Sequence, residues 1–477
     1  MTLPVLAADY DRSAISVGIA HIGVGNFHRS HQAMYLDRLL RQGRALDWGI
    51  CGIGLLPADA RMRDALRSQD FRYTLVEQSA EGSSSATEIG SIVDYLFAPE
   101  QLDAVLKLLA TPSTRIVSLT ITEGGYNISD STGEFDAQNP EIIADIAPGA
   151  RPATVFGIIV AGLRLRRERG IEPFTVMSCD NIEGNGDVTR GSIVAFARLL
   201  DPDLAEWIER TVRFPNSMVD RITPVTTPED RNMVAERFGV RDAWPVICED
   251  FVQWALEDDF SQGRPPWEAV GVQMVEDVRP YELMKLRLLN ASHQAMAYFG
   301  LLAGYRLVHE AAVDPLIVEF LRRYMDEEAT PTLAPVPGVD LDRYKETLLE
   351  RFANAAVGDT LARLATDGSD RIPKWLVPVI RERRDAGLPA PLSAAVVASW
   401  ARYIERHVAG DDLPFRDRQE PAAVAALERQ RADRAGFLRN ADWFGRLAQD
   451  AEFVRDFSAT YDAAEQGREL LAGALAR

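Results

Sequence analysis

Residues 14–43 read AISVGIAHIGVGNFHRSHQAMYLDRLLRQG, and this stretch decides the fold. Ala14 to Val24 is rich in β-branched and apolar residues and predicts a strand; the glycines that follow predict a tight turn. HRSHQAMYLDRLLRQG then predicts one amphipathic helix. A strand, a glycine turn and a helix are the opening unit of a dinucleotide-binding α/β domain. Gly23 and Gly25 occupy the first two glycine positions of its fingerprint, one for the turn and one for close approach of the backbone to a pyrophosphate. His28 stands where the third glycine is usual. Phe27, His28 and Arg29 complete the candidate cofactor turn.

DWGICGIG, residues 47–54, predicts a second strand, and LLPADARMRD leaves its end. A carboxylate at that place can accept hydrogen bonds from both ribose hydroxyls of an adenosine, and Asp59 is the candidate. An N-cap of the next helix would also suit it. Arg61 and Arg63 could hold a 2′-phosphate, which Asp59 would repel, so NAD is expected over NADP. Further strands are expected at 71–78, 115–122 and 174–181, with helices near 98–110, 154–169 and 190–212. This alternation predicts a mostly parallel sheet covered on both faces. Ligands of such sheets lie beyond the carboxyl ends of the strands, where EGGYN (from Glu123) and NIEGNG (from Asn181) depart. Asn181 is thus a candidate active-site amide, or else an Asx turn. SAEGSSSATE, residues 79–88, reads as a polar loop. In VDRITP, Asp220 beside Arg221 suggests an ion pair or turn when taken alone.

A domain change is expected near Val278, dividing an α/β domain (1–278) from a mostly α-helical domain (279–477). Helical runs are expected at 281–303, 310–327, 341–365, 373–386, 391–408, 419–434 and 450–475. The first carries PYELMKLRLLNASHQAMAYFG, residues 280–300. At 100° per residue Glu282, Lys285, Asn290 and His293 fall within about 140° of each other. Lysine can serve as base, an asparagine amide can donate to an oxyanion, and imidazole can orient or share a proton. A surface lysine and a satisfied core histidine are the plainer alternative. Lys285 and His293 would lie roughly 12 Å apart along a straight helix, so the lysine would have to curl inward.

The spacing K-x4-N-x2-H resembles the motif of the polyol-specific long-chain dehydrogenases. GVGNFHR, SLTITEGGY, SCDN, VDRITP, KLRLLNASH and TLAPVPGVD follow in the order expected of that family. The resemblance implies NAD-dependent oxidation of D-mannitol to D-fructose and the reverse reduction, at the cleft between the two domains. It implies Lys285 as general base, Asn181 and Asn290 as an oxyanion hole, His293 as substrate ligand, and Glu282 as a proton relay. It also implies that Asp220 and Arg363 contact the polyol. Arg371 stands where a relative can carry lysine. A lysine base needs its pKa lowered from about 10.4 toward 7–8 by desolvation or nearby cations. Arabinitol, sorbitol, a hexuronate such as fructuronate, and mannitol 1-phosphate are rival substrates, and a non-catalytic nucleotide-binding protein is the rival class.

The 477 residues are 47% hydrophobic and 26% charged, ordinary for a globular chain of two or three domains. A net charge of -19 speaks against nucleic acid or an anionic membrane as partner. A small neutral polyol or ketose fits better, and a monomer is expected. Cys51, Cys179 and Cys248 are widely separated and read as buried thiols in a reducing cytoplasm. With few histidines they offer no credible zinc ligand set. No signal peptide or membrane span is expected.

Overall fold

The computed structural model describes residues 2–80, 82–129, 133–463 and 467–476. The chain divides into two units, one of Met1–Ser79 with Ser83–Arg279 and one of Pro280–Arg477 with Ala80–Gly82.

The first unit is built on five strands: β1 (Val17–Ile22), β2 (Gly49–Gly54), β3 (Ile92–Phe97), β4 (Ile116–Leu119) and β5 (Thr175–Ser178). All neighbours run parallel, in the order β3-β2-β1-β4-β5. Successive side chains serve opposite faces, as a strand requires. Ile19, Ile116 and Met177 join a core with Tyr35, Trp254 and Trp267. Ala20, Ile22, Val117, Leu119 and Val176 join the other, with Ile158, Ile159 and Phe196. Both faces are therefore apolar, as the near-continuous hydrophobic reading of AISVGIAHI demands. The strand order reverses at β1, whose neighbours β2 and β4 lead away in opposite directions. The carboxyl ends of these strands form the crevice where such sheets hold ligands.

Several sequence expectations need correction. The strand expected at 71–78 exists as Tyr73–Gln78 but lies outside the parallel sheet, in a four-stranded sheet with Val5–Leu6, Ser84–Ile89 and Val246–Glu249. The supposed polar loop contains strand Ser84–Ile89, paired antiparallel to Tyr73–Gln78; only Ala86 and Ile89 of it are buried, so its half-exposed face reads as polar. The single helix expected from His28 is two, Asn26–Ser30 and Gln32–Arg41, broken at His31 (φ -120°, ψ -95°). The helix expected near 190–212 also divides, into Asn185–Leu200 and Pro202–Thr211, because Asp201 turns extended and caps the second with its carboxylate. A third small sheet orders Gln273–Val275, Gln253–Glu257 and Ser217–Asp220.

The second unit is helical. Pro391–Val408 runs through its interior, where Trp400 meets Trp443 and Phe437 at 5.0 and 5.2 Å between ring centroids. The run expected at 341–365 is interrupted, giving Leu341–Phe352 and Leu361–Ala365, each capped by a side chain, Asp340 and Thr360. The larger departure is in the helix carrying Lys285. Arg279–Met284 and Ala291–Leu302 are α-helical, but Lys285–Asn290 between them is a π-helix, and a second π segment occupies Tyr324–Ala329. Among the described residues no helix is long and apolar enough to cross a membrane.

Candidate active site

The turn after β1 is fixed by Gly23. Its φ is +93°, and a Cβ there would lie 2.2 Å from the Thr120 carbonyl oxygen, so no side chain fits. Gly25 is different: its φ is -101°, and an added Cβ would meet nothing nearer than 3.9 Å. Packing within the protein does not explain that glycine. His28, in the third fingerprint position, is buried and stacks on His21 at 3.4 Å and 12°. His21 is held by Ser118 Oγ at 2.8 Å and Thr120 Oγ1 at 3.0 Å. Burial drives the His21 pKa down to about 3 and that of His28 well below the ordinary value, so both rings are neutral.

Arg29 is fully buried, and its guanidinium is spent on the protein: on the carbonyls of Gly25 and Trp244 and on Asn26 Oδ1 at 2.7 Å. Burial lowers its pKa to about 10. The side chains of His28 and Arg29 therefore build the turn from beneath. Phe27 is half-buried, stacked on His31 at 4.9 Å.

Asp59 lies just beyond β2. Its Oδ2 accepts from the amides of Leu55 and Leu56, both at 2.9 Å, while Oδ1 has no partner among the described residues. Gly54 makes room for it, since a Cβ there would sit 2.7 Å from that of Asp59. Arg61 lies over the Trp244 ring at 5.5 Å, and Arg63 pairs with Asp64 and Glu100 at 2.8 Å.

At the other side of the crevice Asn181 is exposed in the loop leaving β5. Its neighbour Asp180, which sequence reasoning passed over, is buried. Its carboxylate accepts from the amides of Ile121 (2.9 Å) and Thr122 (2.8 Å) and from Tyr126 Oη (2.7 Å), joining the loops after β4 and β5. Burial pushes the Asp180 carboxyl up, and these hydrogen bonds offset part of the effect. Thr122 has φ +64° and ψ 166°, a backbone region otherwise reserved for glycine. Asp220 ends its strand and is buried. Arg221 turns to Glu77 and to the carbonyls of Ser30 and Glu249, so its charge is used away from the ion pair first suggested with Asp220.

In the second unit Glu282, Lys285, Asn290 and His293 are all buried. The π segment changes their relation. Ala291 donates to the carbonyl of Leu286, five residues back, instead of to Arg287, so the helix absorbs one extra residue between Lys285 and Asn290. On an uninterrupted helix Asn290 and His293 would lie about 140° and about 80° from Lys285; with one residue absorbed these become about 40° and about 20°. The rise from Lys285 to His293 shortens from about 12 Å to about 10.5 Å. The four polar residues thus share a stripe about 80° wide, which corrects the wider spread read from the sequence. Asn290 Nδ2 is a buried donor without an acceptor among the described residues. His293 packs against Phe352 at 4.7 Å.

Arg363 is exposed and clamped by Asp359, whose carboxylate takes both Nε, at 2.6 Å, and Nη2. Burial works to raise the Asp359 carboxyl, but the bonds and charge of Arg363, with the neighbouring His293, carry it below the ordinary value. The i,i+4 spacing Asp359–Arg363 could have revealed this pair in the sequence. Arg371 donates to the carbonyls of Arg363 (3.1 Å) and Leu364 (3.0 Å), tying down the end of Leu361–Ala365. No cluster of three or more His, Cys, Asp or Glu suited to a metal ion occurs among the described residues.

Residues 17–269 match the mannitol dehydrogenase Rossmann domain, and residues 277–465 match the mannitol dehydrogenase C-terminal domain. The mannitol 2-dehydrogenase of Phaeosphaeria nodorum is 49% identical over 403 residues, covering 84% of this chain and 71% of that protein. Among solved structures, the Pseudomonas fluorescens mannitol 2-dehydrogenase ternary complex with NAD and D-mannitol is 46% identical, with TM-score 0.87 over 99% of this chain and 97% of the other. A D-sorbitol dehydrogenase in substrate-free form is 36% identical, with TM-score 0.91 over 99% and 98%. The two domain matches, in order and together spanning most of the sequence, place the chain in the mannitol dehydrogenase family.

Proposed function

We propose that this protein interconverts D-mannitol and D-fructose with NAD. The observation that carries the reading is the 46% identity, over nearly the whole chain, to a structure described as holding both NAD and D-mannitol. NAD, when bound, accepts the hydride from the alcohol carbon. The first unit suits that cofactor. Gly25 leaves its backbone open to close approach without any need of its own, and Asp59 keeps one carboxylate oxygen for a ribose hydroxyl. With Arg63 bound to acidic partners and Arg61 stacked, this end of β2 favours NAD over NADP. Phe27, His28 and Arg29 contribute through their backbone.

Oxidising a secondary alcohol requires loss of the hydroxyl proton as hydride leaves the same carbon. We assign Lys285 to take that proton and to return it in reduction. Glu282, one helical turn before it, passes the proton toward solvent. Asn181 and Asn290 hold the alkoxide, and the unmet donor of Asn290 is the kind of group an alkoxide would satisfy. His293 orients the reacting hydroxyl. Asp220 and Arg363 hydrogen-bond the remaining hydroxyls as acceptor and donor, and Arg371 supports the segment that carries Arg363.

D-Sorbitol is the second reading, favoured by the structural likeness to D-sorbitol dehydrogenase. Following NADH absorbance with mannitol, sorbitol, arabinitol, fructuronate and mannitol 1-phosphate decides between them. Mannitol should give the highest kcat/KM. A higher value for sorbitol would move the assignment, and a preference for either anion would overturn it.

A further inference from the structure

We infer that Tyr324 is a positioning residue for the Lys285 helix: its buried hydroxyl holds the π turn that brings Lys285, Asn290 and His293 into one stripe. The inference rests on the proposed roles of those three residues. The argument begins with the backbone. Because Ala291 donates to Leu286, the carbonyl of Arg287 loses the amide that an α-helix would give it. A buried carbonyl deprived of its α-helical amide is stabilised by another donor, and an α-helix would restore that amide by closing up. Tyr324 Oη lies 3.1 Å from that carbonyl and donates to it. Tyr324 is wholly buried and comes from 37 residues away, so the π turn is stabilised by a tertiary partner and not by its own sequence.

Two features fix the donor. Tyr324 opens the second π segment, Tyr324–Ala329, in which Thr330 donates to the Met325 carbonyl five residues back. At the end of that segment Glu328 accepts from the amides of Leu392 and Ser393 at 2.7 and 2.8 Å, anchoring it to the start of the long helix Pro391–Val408. The Arg287 side chain is pinned as well, by two bonds to the Glu382 carboxylate (2.7 and 2.6 Å) and one to the Thr332 carbonyl (2.7 Å). Tyr324 is thus the hydroxyl on which the register depends, held on an anchored segment. Without it, relaxation to α-helix would rotate Asn290 and His293 by about 100° relative to Lys285.

Tyr324→Phe tests this by deleting one oxygen atom. In the full-length variant kcat for mannitol oxidation should fall at least about tenfold, since displacement of a reacting group by an ångström already costs more than that. The Kd for NADH should change less than about twofold, because the first unit's glycine turn and Asp59 are untouched. Hydrogen exchange of the peptide spanning residues 285–292 should quicken while that of residues 391–408 stays as in the parent. Unchanged kcat and unchanged exchange, with Lys285→Ala inactive, would overturn the inference and leave the proposed function standing. A fall in kcat matched by loss of NADH binding and of melting temperature would also overturn it, as the hydroxyl would then serve general stability. Turnover retained in Lys285→Ala would overturn the lysine assignment itself, and the inference with it.

Discussion

The glycine turn after β1 and the helix around Lys285 are organised in opposite ways. At the turn, geometry is set by a glycine and by strand pairing: Gly23 has a left-handed φ, and His21 and Ser118 lie opposite each other on paired strands, with Thr120 just past the end of the second. At the helix, the decisive irregularity is supported from outside, by a tyrosine 37 residues along the chain. The first kind of site cannot change its glycine, whose backbone no other residue can adopt there without a clash. The second depends on residues that touch no substrate.

The sharpest test of that contrast is Lys285→Ala. It should lower kcat by about 10³ to 10⁴ while NADH titration by fluorescence gives an unchanged Kd. Asn290→Ala should cost about 10² to 10³ in kcat, and a change confined to KM would remove it from the oxyanion site. Next come the two glycines. Gly23→Ala should destabilise by at least about 2 kcal/mol in urea unfolding, because strain and a backbone clash add. Gly25→Ala should stay within about 0.5 kcal/mol of the parent yet weaken NADH binding. Equal stability loss in both would erase the distinction between a turn glycine and a ligand glycine.

Acid should expose the first unit in particular. The folded pKa of His21, about 3, lies below its ordinary 6.5. Above about pH 6.5 the ring is neutral folded or unfolded and nothing is lost; below it only the unfolded chain gains the proton. Stability should therefore fall from about pH 6.5 toward pH 3, at roughly 1.4 kcal/mol per pH unit for this histidine, with His28 acting in the same direction. Urea midpoints between pH 6.5 and 5, before most carboxylates titrate, should show the slope, and His21→Gln should flatten it. The smallest effect is expected at Asp59→Ala, which should shift the NAD/NADP ratio of kcat/KM toward NADP by about tenfold. An unchanged ratio would leave Asp59 as a clasp for the Leu55 and Leu56 amides alone.

How much of this was legible in the sequence follows from the same contrast. The strand, turn and helix at 14–43 were readable because apolar runs and glycines act over a few residues. The boundary at His31 was not, since nothing there breaks a helix; the one at Asp201 was readable but overlooked, because an Asp followed by Pro202 marks the start of a new helix. Strand Ser84–Ile89 was missed because one face is exposed. Around Lys285 the residue types were readable and their geometry was not: a helical wheel assumes 100° at every step, and nothing in KLRLLN announces a π turn. The partners of Arg29 were hidden for a related reason, since its acceptors Trp244 and Asn26 come together with it only after folding.

Thr122 carries a consequence for engineering. A β-branched residue in a backbone region that suits only glycine costs about 1–3 kcal/mol, and the Asp180 carboxylate holds it there through two amides. Selection for heat resistance alone would be drawn to this position, since Thr122→Gly relieves the strain at a smaller entropic cost. The same exchange would loosen the loop that Asp180 fastens beside Asn181. A thermostable descendant obtained that way would gain endurance by giving up definition at the mouth of the sheet.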